Sequence, residues 1–85
     1  MNYNCLIIDD EKPLAESTAE YLIMFGVTAK AVFDTKGCYK FLEANTADLI
    51  LLDINLQEES GFELCQRLRK TIQVPIMFIS ARQSD

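Results

Sequence analysis

The chain has 85 residues, of which 49% are hydrophobic, and this composition is sufficient for one small packed core. Its formal net charge is −5 and its basic residues form no long run, which disfavours nonspecific binding to DNA or to anionic membranes. No apolar run approaches the roughly 18 residues of a membrane span, and the N-terminus lacks a basic segment followed by a long apolar region. The sequence therefore predicts one soluble, cytoplasmic domain with no direct nucleic-acid partner and no membrane partner.

The first predicted elements are a buried strand and a helix. Residues 5–8 are four consecutive apolar side chains, a pattern typical of a strand buried on both faces of a parallel sheet. Pro13 is tolerated in the first turn of a helix because its missing N–H has no partner there, and Gly26 predicts the end of that helix. The helix side chains predicted to face the core are Leu14, Ala15, Thr18, Leu22 and Phe25.

The second strand and the second helix are predicted at residues 27–33 and 35–44. Apolar and polar side chains largely alternate along residues 27–33, which suits a strand at the edge of the sheet. Asn45 is expected to end the following helix in a left-handed conformation. The inward side chains of that helix are predicted to be Cys38, Phe41 and Leu42.

A third strand, a third helix and a fourth strand follow. Residues 48–53 and 76–79 each contain four consecutive apolar side chains and are predicted to be strands. Ser60 and Glu63 have the spacing of a capping box, so a helix is expected to begin there and to continue to about Lys70. Its inward side chains are predicted to be Phe62, Cys65 and Leu68. The alternation of strands and helices predicts a parallel α/β sheet with helices on both faces.

The cysteines give no sign of a disulfide framework or a zinc site. Cys5, Cys38 and Cys65 are widely spaced and lie mostly within apolar patterns. They are predicted to be thiols of the core in a reducing compartment.

Acidic or hydroxyl residues follow the apolar runs of the first, third and fourth strands. Because the carboxyl ends of parallel strands meet at one edge of a sheet, Asp9, Asp10, Asp53 and Ser80 are expected to share one crevice. Two unit charges about 5 Å apart repel by roughly 3 kcal/mol at an effective dielectric of about 20, so a cation or a proton must offset them. Oxygen ligands beside open water suit magnesium, and a carboxylate nucleophile beside magnesium indicates phosphoryl chemistry.

Segments of the sequence resemble the receiver domain of two-component response regulators. They are the run LIIDDE at residues 6–11, the run DINL at 53–56 with Gly61 beyond it, and the run PIMFISAR at 75–82. The order and spacing of these segments are highly specific, and the resemblance covers essentially the whole chain. It implies a flavodoxin-like doubly wound sheet with strand order 2-1-3-4-5.

The resemblance also implies a function and a set of site residues. Asp53 would accept a phosphoryl group from the phosphohistidine of a sensor histidine kinase or a phosphotransfer protein, with Mg²⁺ as cofactor. Asp10 and Asp53 would be direct Mg²⁺ ligands, and the main-chain carbonyl of Asn55 would be a third. Asp9 would hold the metal indirectly, through another ligand or a water molecule. The hydroxyl of Ser80 would contact the phosphoryl group.

The end of the chain is the main departure from the family pattern. The family continues with a fourth helix, a fifth strand and a fifth helix, so residues 1–85 are expected to be the N-terminal part of a receiver domain without an output domain. The family lysine that pairs with the acyl phosphate lies in the missing part. An uncovered sheet edge is expected to cause self-association. At most, self-catalysed phosphoryl transfer and autodephosphorylation are expected, not enzymatic turnover.

Three alternative functions were weighed against this interpretation. A haloacid-dehalogenase-type phosphatase requires a second aspartate two residues after the nucleophile, where this chain has Asn55. A nucleotide or flavin binder requires a glycine-rich loop after the first strand, where residues 9–13 are acidic and would repel phosphate. A non-phosphorylated receiver-like interaction module remains the alternative, although such modules typically lack part of the acidic set.

Overall fold

The structure, a computed structural model, describes residues 1–79. The strands are β1 (Asn2–Ile8), β2 (Ala29–Val32), β3 (Thr46–Asp53) and β4 (Ile76–Ile79), and the helices are α1 (Lys12–Met24), α2 (Thr35–Ala44) and α3 (Gly61–Leu68). All strand pairs are parallel and the spatial order is β2-β1-β3-β4. This is the order expected for the first four strands of the flavodoxin-like fold, so the predicted fold class is confirmed.

The core lies on both faces of the sheet, as the uninterrupted apolar runs predicted. On β1, Leu6 and Ile8 belong to the cluster that includes side chains of α2 and α3, while Cys5 and Ile7 belong to the cluster on the α1 side. The side chains of Leu6 and Ile8 are fully buried. Because successive strand residues point to opposite faces, only a strand covered on both sides can bury such a run.

The second strand lies at an edge of the sheet, as predicted. β2 pairs with β1 in the register Cys5↔Ala29 to Ile8↔Val32. It is shorter than the predicted range of 27–33. Val27 and Phe33 nevertheless pack against the cluster on the α1 side, just beyond the two ends of the strand.

The predicted buried face of α1 is confirmed in part: Ala15 is buried and Leu22 packs against the same cluster, but Leu14 and Phe25 are not buried. Ala15 and Ala19 are buried, whereas Leu14 is 40% exposed and Phe25 is 70% exposed. Leu14 lies one residue, or about 100° of helical rotation, from the buried position Ala15. Phe25 lies beyond the last helical residue, and Gly26 follows it with φ +86, so the predicted end of the helix at this glycine is confirmed. Small alanine side chains allow the helix to approach the sheet closely.

The limits of α2 are those predicted, but its ending is different. The Asp34 side chain caps the helix by accepting a hydrogen bond from the Gly37 amide at 2.6 Å. Cys38 and Phe41 are buried as expected, and Leu42 packs against the same cluster. Asn45 has φ −141 and ψ 167, so the predicted left-handed conformation is wrong. The extended conformation leads the chain directly into β3, which begins at the next residue.

The start of α3 and the inward positions of Cys65 and Leu68 agree with the prediction, whereas the predicted burial of Phe62 is wrong. Ser60 accepts a hydrogen bond from the Glu63 amide at 3.2 Å, which is one half of the predicted capping box. Leu64 and Leu68 are buried, whereas Phe62 is 53% exposed and packs against the ring of Phe78 at a centroid distance of 4.7 Å. The helix ends at Leu68, two residues before the predicted Lys70, and Cys65 is half-buried.

None of the helices formed by residues 1–79 is long and apolar enough to cross a lipid bilayer.

Candidate functional site

The carboxyl ends of β1 and β3 bring three aspartates together. Ile8 pairs with Leu52 in the parallel register, so Asp9 and Asp53 follow side by side. One carboxylate oxygen from each of Asp9, Asp10 and Asp53 lies within 4.8 Å of the other two. Asp9 and Asp53 are each 1% exposed, which makes them the buried charged residues among those described. Sheet topology therefore places the acidic set at the edge where the sequence predicted it.

Two of these carboxylates are held by the backbone that follows them. Asp9 Oδ1 accepts a hydrogen bond from the Glu11 amide at 3.0 Å, and Asp53 Oδ1 accepts one from the Asn55 amide at 3.1 Å. In both cases the donor is two residues further along the chain, as in an Asx turn. These bonds fix the orientation of both side chains.

The carboxylate of Asp10 has a different environment. Both of its oxygens are buried from solvent, and neither has a hydrogen-bond partner among residues 1–79. A buried polar atom without a partner is costly in free energy, and a charged one is more so. This orphaned pair of oxygens is therefore available to a ligand.

The electrostatics of the acidic set are unfavourable to three negative charges. Burial raises the pKa of the Asp9 carboxyl above its usual range, the Glu11 amide opposes that shift, and the neighbouring Asp53 and Asp10 raise the pKa further. The site therefore favours either an additional proton or a cation.

The loop between β3 and α3 returns closely to Asp53. The Gly61 amide donates to the Ile54 carbonyl at 2.6 Å, and Asn55 and Ser60 form an isolated antiparallel bridge. A Cβ atom on Gly61 would lie 2.2 Å from the main-chain oxygen of Asp53. Glycine at this position thus allows the loop to close against the end of β3.

The hydroxyl predicted to complete the site is Ser80. It lies outside the described residues, together with Ala81 and Arg82. The structure describes β4 up to Ile79, which pairs with Asp53.

Sequence reasoning did not identify the cavity of about 220 Å³ beside the acidic set. Among residues 1–79, its single cation is Lys12, whose ammonium lies 5.2 Å from the centroid of the Phe33 ring. The residues that line the cavity are Asp10, Lys12, Phe33, Asp34, Leu56, Gln57 and Glu58. They come from loops that are far apart in sequence, so no local spacing could have grouped them.

A second set of residues that the sequence did not reveal attaches the loop of residues 54–60 to the helices. Glu58 Oε1 accepts from the Thr35 amide at 3.2 Å, and Glu59 Oε2 accepts from the Thr35 hydroxyl at 2.9 Å. Glu59 also forms an ion pair with Arg67 of α3. In the sequence, these contacts are indicated only by two consecutive glutamates, and an acidic pair exposed to solvent has the same sequence pattern.

Comparison with known protein families agrees with this arrangement. The family model for the response regulator receiver domain matches residues 5–85. This chain belongs to the response regulator receiver domain family. Members of that family interact with histidine kinases or phosphotransfer proteins in two-component signalling.

Two curated relatives illustrate the similarity. The heme response regulator HssR of Staphylococcus epidermidis is 31% identical over 81 residues, which are 95% of this chain and 36% of the relative. The sensory transduction protein RegX3 of Mycolicibacterium smegmatis is 36% identical over 80 residues, which are 94% of this chain and 35% of the relative. The chain thus spans about a third of the length of these relatives.

Solved structures give the same family. A two-component response regulator from Clostridium difficile superposes with a TM-score of 0.86 at 25% identity, over 98% of this chain and 69% of that structure.

Proposed function

We propose that this chain is a phosphorylation-dependent signalling receiver in which Asp53 accepts a phosphoryl group from the phosphohistidine of a sensor histidine kinase or a phosphotransfer protein. The observation that supports this most directly is the cluster of three carboxylates within 4.8 Å of one another, with both Asp10 oxygens buried and unpartnered. Family membership gives the partner class, and the geometry gives the candidate atoms.

Mg²⁺ is the cofactor that fits the residues present. Its proposed ligands are the carboxylates of Asp10 and Asp53 and the main-chain carbonyl of Asn55, with Asp9 held beside them and contacting the metal indirectly. All of these are hard oxygen donors, as magnesium prefers. When bound, the ion would neutralise the clustered carboxylates and the charge that develops on the transferred group.

The residues of the chain have distinct proposed roles in the transfer. The Asn55 amide holds Asp53 Oδ1, so attack on phosphorus would come from the second oxygen of that carboxylate. A P–O bond to Asp53 forms while the P–N bond of the phosphohistidine breaks, and the bonding electron pair returns to the imidazole. Ser80 is proposed to donate its hydroxyl to a phosphoryl oxygen. Burial of Asp9 and Asp53 at 1% exposure limits the access of water to the acyl phosphate.

The scope of the proposal is a receiver and not a turnover enzyme. Residues 1–85 would form the N-terminal part of a receiver domain in the cytoplasm, and their chemistry would be limited to accepting the phosphoryl group and slowly releasing it.

Self-association is proposed as well, because β4 has one strand neighbour among residues 1–79 and presents Met77, 57% exposed, and Phe78, 37% exposed. We expect sedimentation velocity at micromolar concentration to show a species larger than a monomer, and Phe78→Glu to shift it toward monomer. A wild-type protein that is monomeric throughout would contradict this.

The phosphoacceptor assignment is tested by chemical labelling. The protein is treated with a small acyl phosphate and Mg²⁺, the acyl phosphate product is trapped with borohydride, and the modified residue is mapped by mass spectrometry. We expect the label on Asp53 and its loss in Asp53→Asn. Asp48→Asn is the matched control, because Asp48 is an exposed residue of the same strand.

The possible results separate the proposed function from its alternative. Label on another residue, or equal labelling of wild type and Asp53→Asn, would contradict the assignment. A wild-type protein that neither accepts phosphate nor binds Mg²⁺ would instead favour the non-phosphorylated interaction module.

A further inference from the structure

The loop of residues 54–60 is fixed differently at its two sides. Where it meets the sheet, backbone bonds fix it: Asn55 N–H to Asp53 Oδ1 at 3.1 Å and Gly61 N–H to the Ile54 carbonyl at 2.6 Å. Toward the helices, the side chains of Glu58 and Glu59 attach it to Thr35 and Arg67. These glutamates therefore determine where the outer part of the loop lies.

Glu59 is the residue on which these attachments converge. Its Oε2 accepts from the hydroxyl of Thr35, the first residue of α2, and pairs with the guanidinium of Arg67 near the end of α3. The guanidinium of Arg67 also lies 5.8 Å from the centroid of the Tyr39 ring on α2. The Glu59 side chain is 17% exposed, so its charge is much less hydrated than that of a free surface glutamate. One carboxylate thus connects the loop, α2 and α3.

We propose that Glu59 is a positioning residue for the acidic site, which it serves by anchoring the outer part of the 54–60 loop to α2 and α3 and so limiting the movement of the loop that carries the Asn55 carbonyl. This inference rests on the proposed function, in which the Asn55 carbonyl is a metal ligand. Glu59 itself does not contact the acidic cluster.

The physical reason is the limited number of contacts that hold a short loop. Residues 54–60 carry seven backbone units between β3 and α3, and each unit that is released gains conformational freedom. A metal ligand on a mobile loop binds more weakly than a ligand that is already in place, because the free-energy cost of ordering the loop reduces the binding free energy. Removing Glu59 is therefore expected to weaken metal binding without removing a ligand.

Graded substitutions at Glu59 separate its two contacts. Glu59→Gln keeps an oxygen that can accept from the Thr35 hydroxyl but loses the ion pair with Arg67, whereas Glu59→Ala loses both. We expect the Mg²⁺ dissociation constant to rise about two- to fivefold in Glu59→Ala and less in Glu59→Gln, the range expected for partly exposed charged contacts. Glu43→Ala is the matched control, because Glu43 is an exposed glutamate at the end of α2, where it lines a surface cavity with Met1.

The measurements distinguish positioning from general stabilisation. Mg²⁺ titrations are performed far below the melting temperature, where every variant is folded, and hydrogen–deuterium exchange of residues 54–60 is measured in EDTA. We expect faster exchange in the loop of Glu59→Ala and unchanged exchange in β1 and β3. A double-mutant cycle with Thr35→Val is expected to be non-additive for metal affinity.

Each result has a defined consequence. If Glu59→Ala binds Mg²⁺ as tightly as Glu43→Ala, or if its loop exchanges no faster than that of wild type, the inference is wrong and the proposed function is unaffected. A wild-type protein that shows no Mg²⁺ binding would overturn the proposed function and this inference with it.

Discussion

Neutralising Asp10 should make the protein more stable without metal and less responsive to metal. Asp10→Asn removes one charge from the cluster while nearly preserving the shape of the side chain. The new amide group can donate hydrogen bonds to the neighbouring carboxylates of Asp9 and Asp53. The wild-type carboxylate, by contrast, has both oxygens buried and no hydrogen-bond partner among residues 1–79.

The magnitude follows from the distances in the site. Two unit charges separated by the maximum oxygen distance of 4.8 Å repel by roughly 3.5 kcal/mol at an effective dielectric of about 20. Burial and the neighbouring carboxylates raise the pKa of Asp9, which is the direction that this repulsion requires. We therefore expect Asp10→Asn to raise the free energy of unfolding by about 1–3 kcal/mol in EDTA, less than the full Coulomb term.

Adding magnesium should remove or reverse this difference in stability. Wild type should gain about 2.7 kcal/mol when free Mg²⁺ is 100-fold above its dissociation constant, because the ion binds only the folded state. Asp10→Asn has lost a ligand and should gain little. Urea denaturation in EDTA and in Mg²⁺ measures both quantities, and Glu43→Gln supplies the same change of net charge far from the site.

Specific results would refute this reasoning. If Asp10→Asn is no more stable than wild type in EDTA, the carboxylates do not repel one another to the extent that their distances require. If wild type and variant gain equally from Mg²⁺, Asp10 is not a ligand. If Glu43→Gln is stabilised as much as Asp10→Asn, the gain comes from net charge and not from the cluster.

Two further predictions concern the backbone of the site and the thiols. Gly61→Ala should destabilise the fold by about 2–4 kcal/mol, because the added Cβ would lie 2.2 Å from the Asp53 oxygen. Gly26→Ala should cost only about 1–2 kcal/mol, because its φ is +86 but no atom lies within 4 Å of the added Cβ. Urea denaturation of both variants measures these losses, and equal losses would contradict the steric argument. Burial raises the pKa of Cys38 to about 11, and Arg67 opposes this shift. At pH 8 the reaction of Cys38 with a disulfide reagent should therefore be much slower than that of half-buried Cys65. The Cys38 reaction should become faster as the pH approaches 11. Mass spectrometry of the labelled peptides gives the rates, and equal labelling of the two thiols in the folded protein would show that burial does not protect Cys38.

The sheet could be predicted from the sequence because its signal is local and strong. Four apolar residues in succession, as in residues 5–8 and 49–52, favour a strand covered on both faces. The structure buries the whole run in β1, and in β3 it buries Ile50 and Leu52 while Leu49 and Leu51 are partly buried against the other cluster. Parallel topology then brings together the residues that follow the strands. The position of Asp9 beside Asp53 is therefore a consequence of the order of strands and requires no knowledge of side-chain contacts.

Helix faces were less predictable because hydrophobicity alone does not determine rotation. On α1 the large side chain of Leu14 is exposed and the small Ala15 is buried, since close approach to the sheet requires small residues at the contact. On α3 the ring of Phe62 finds its partner in Phe78, which is sixteen residues away in sequence and belongs to β4. Such choices depend on what lies opposite the helix, and a single helical sequence does not contain that information.

The loop contacts were not predictable for a related reason. Thr35 and Glu59 are 24 residues apart and meet only after α2 and α3 have packed on the same face of the sheet. Before folding, Glu58 and Glu59 are indistinguishable from an acidic pair exposed to solvent. Sequence periodicity therefore located the carboxylates of the site but could not locate the residue that we propose to position its loop.

The proposed metal binding would be coupled to folding, because the strands leave the acidic residues no exposed alternative. Asp9 follows directly after the buried run of β1, and Asp53 is the last residue of β3, so both carboxylates enter the protein interior whenever the sheet forms. The repulsion among the three aspartates therefore opposes folding, and a cation that binds there favours the folded state by an amount set by its free concentration and its dissociation constant. For this reason a substitution that removes a charge from the proposed metal site, such as Asp10→Asn, is expected to stabilise the metal-free fold. A substitution that weakens metal binding by releasing the 54–60 loop, such as Glu59→Ala, is not expected to stabilise it.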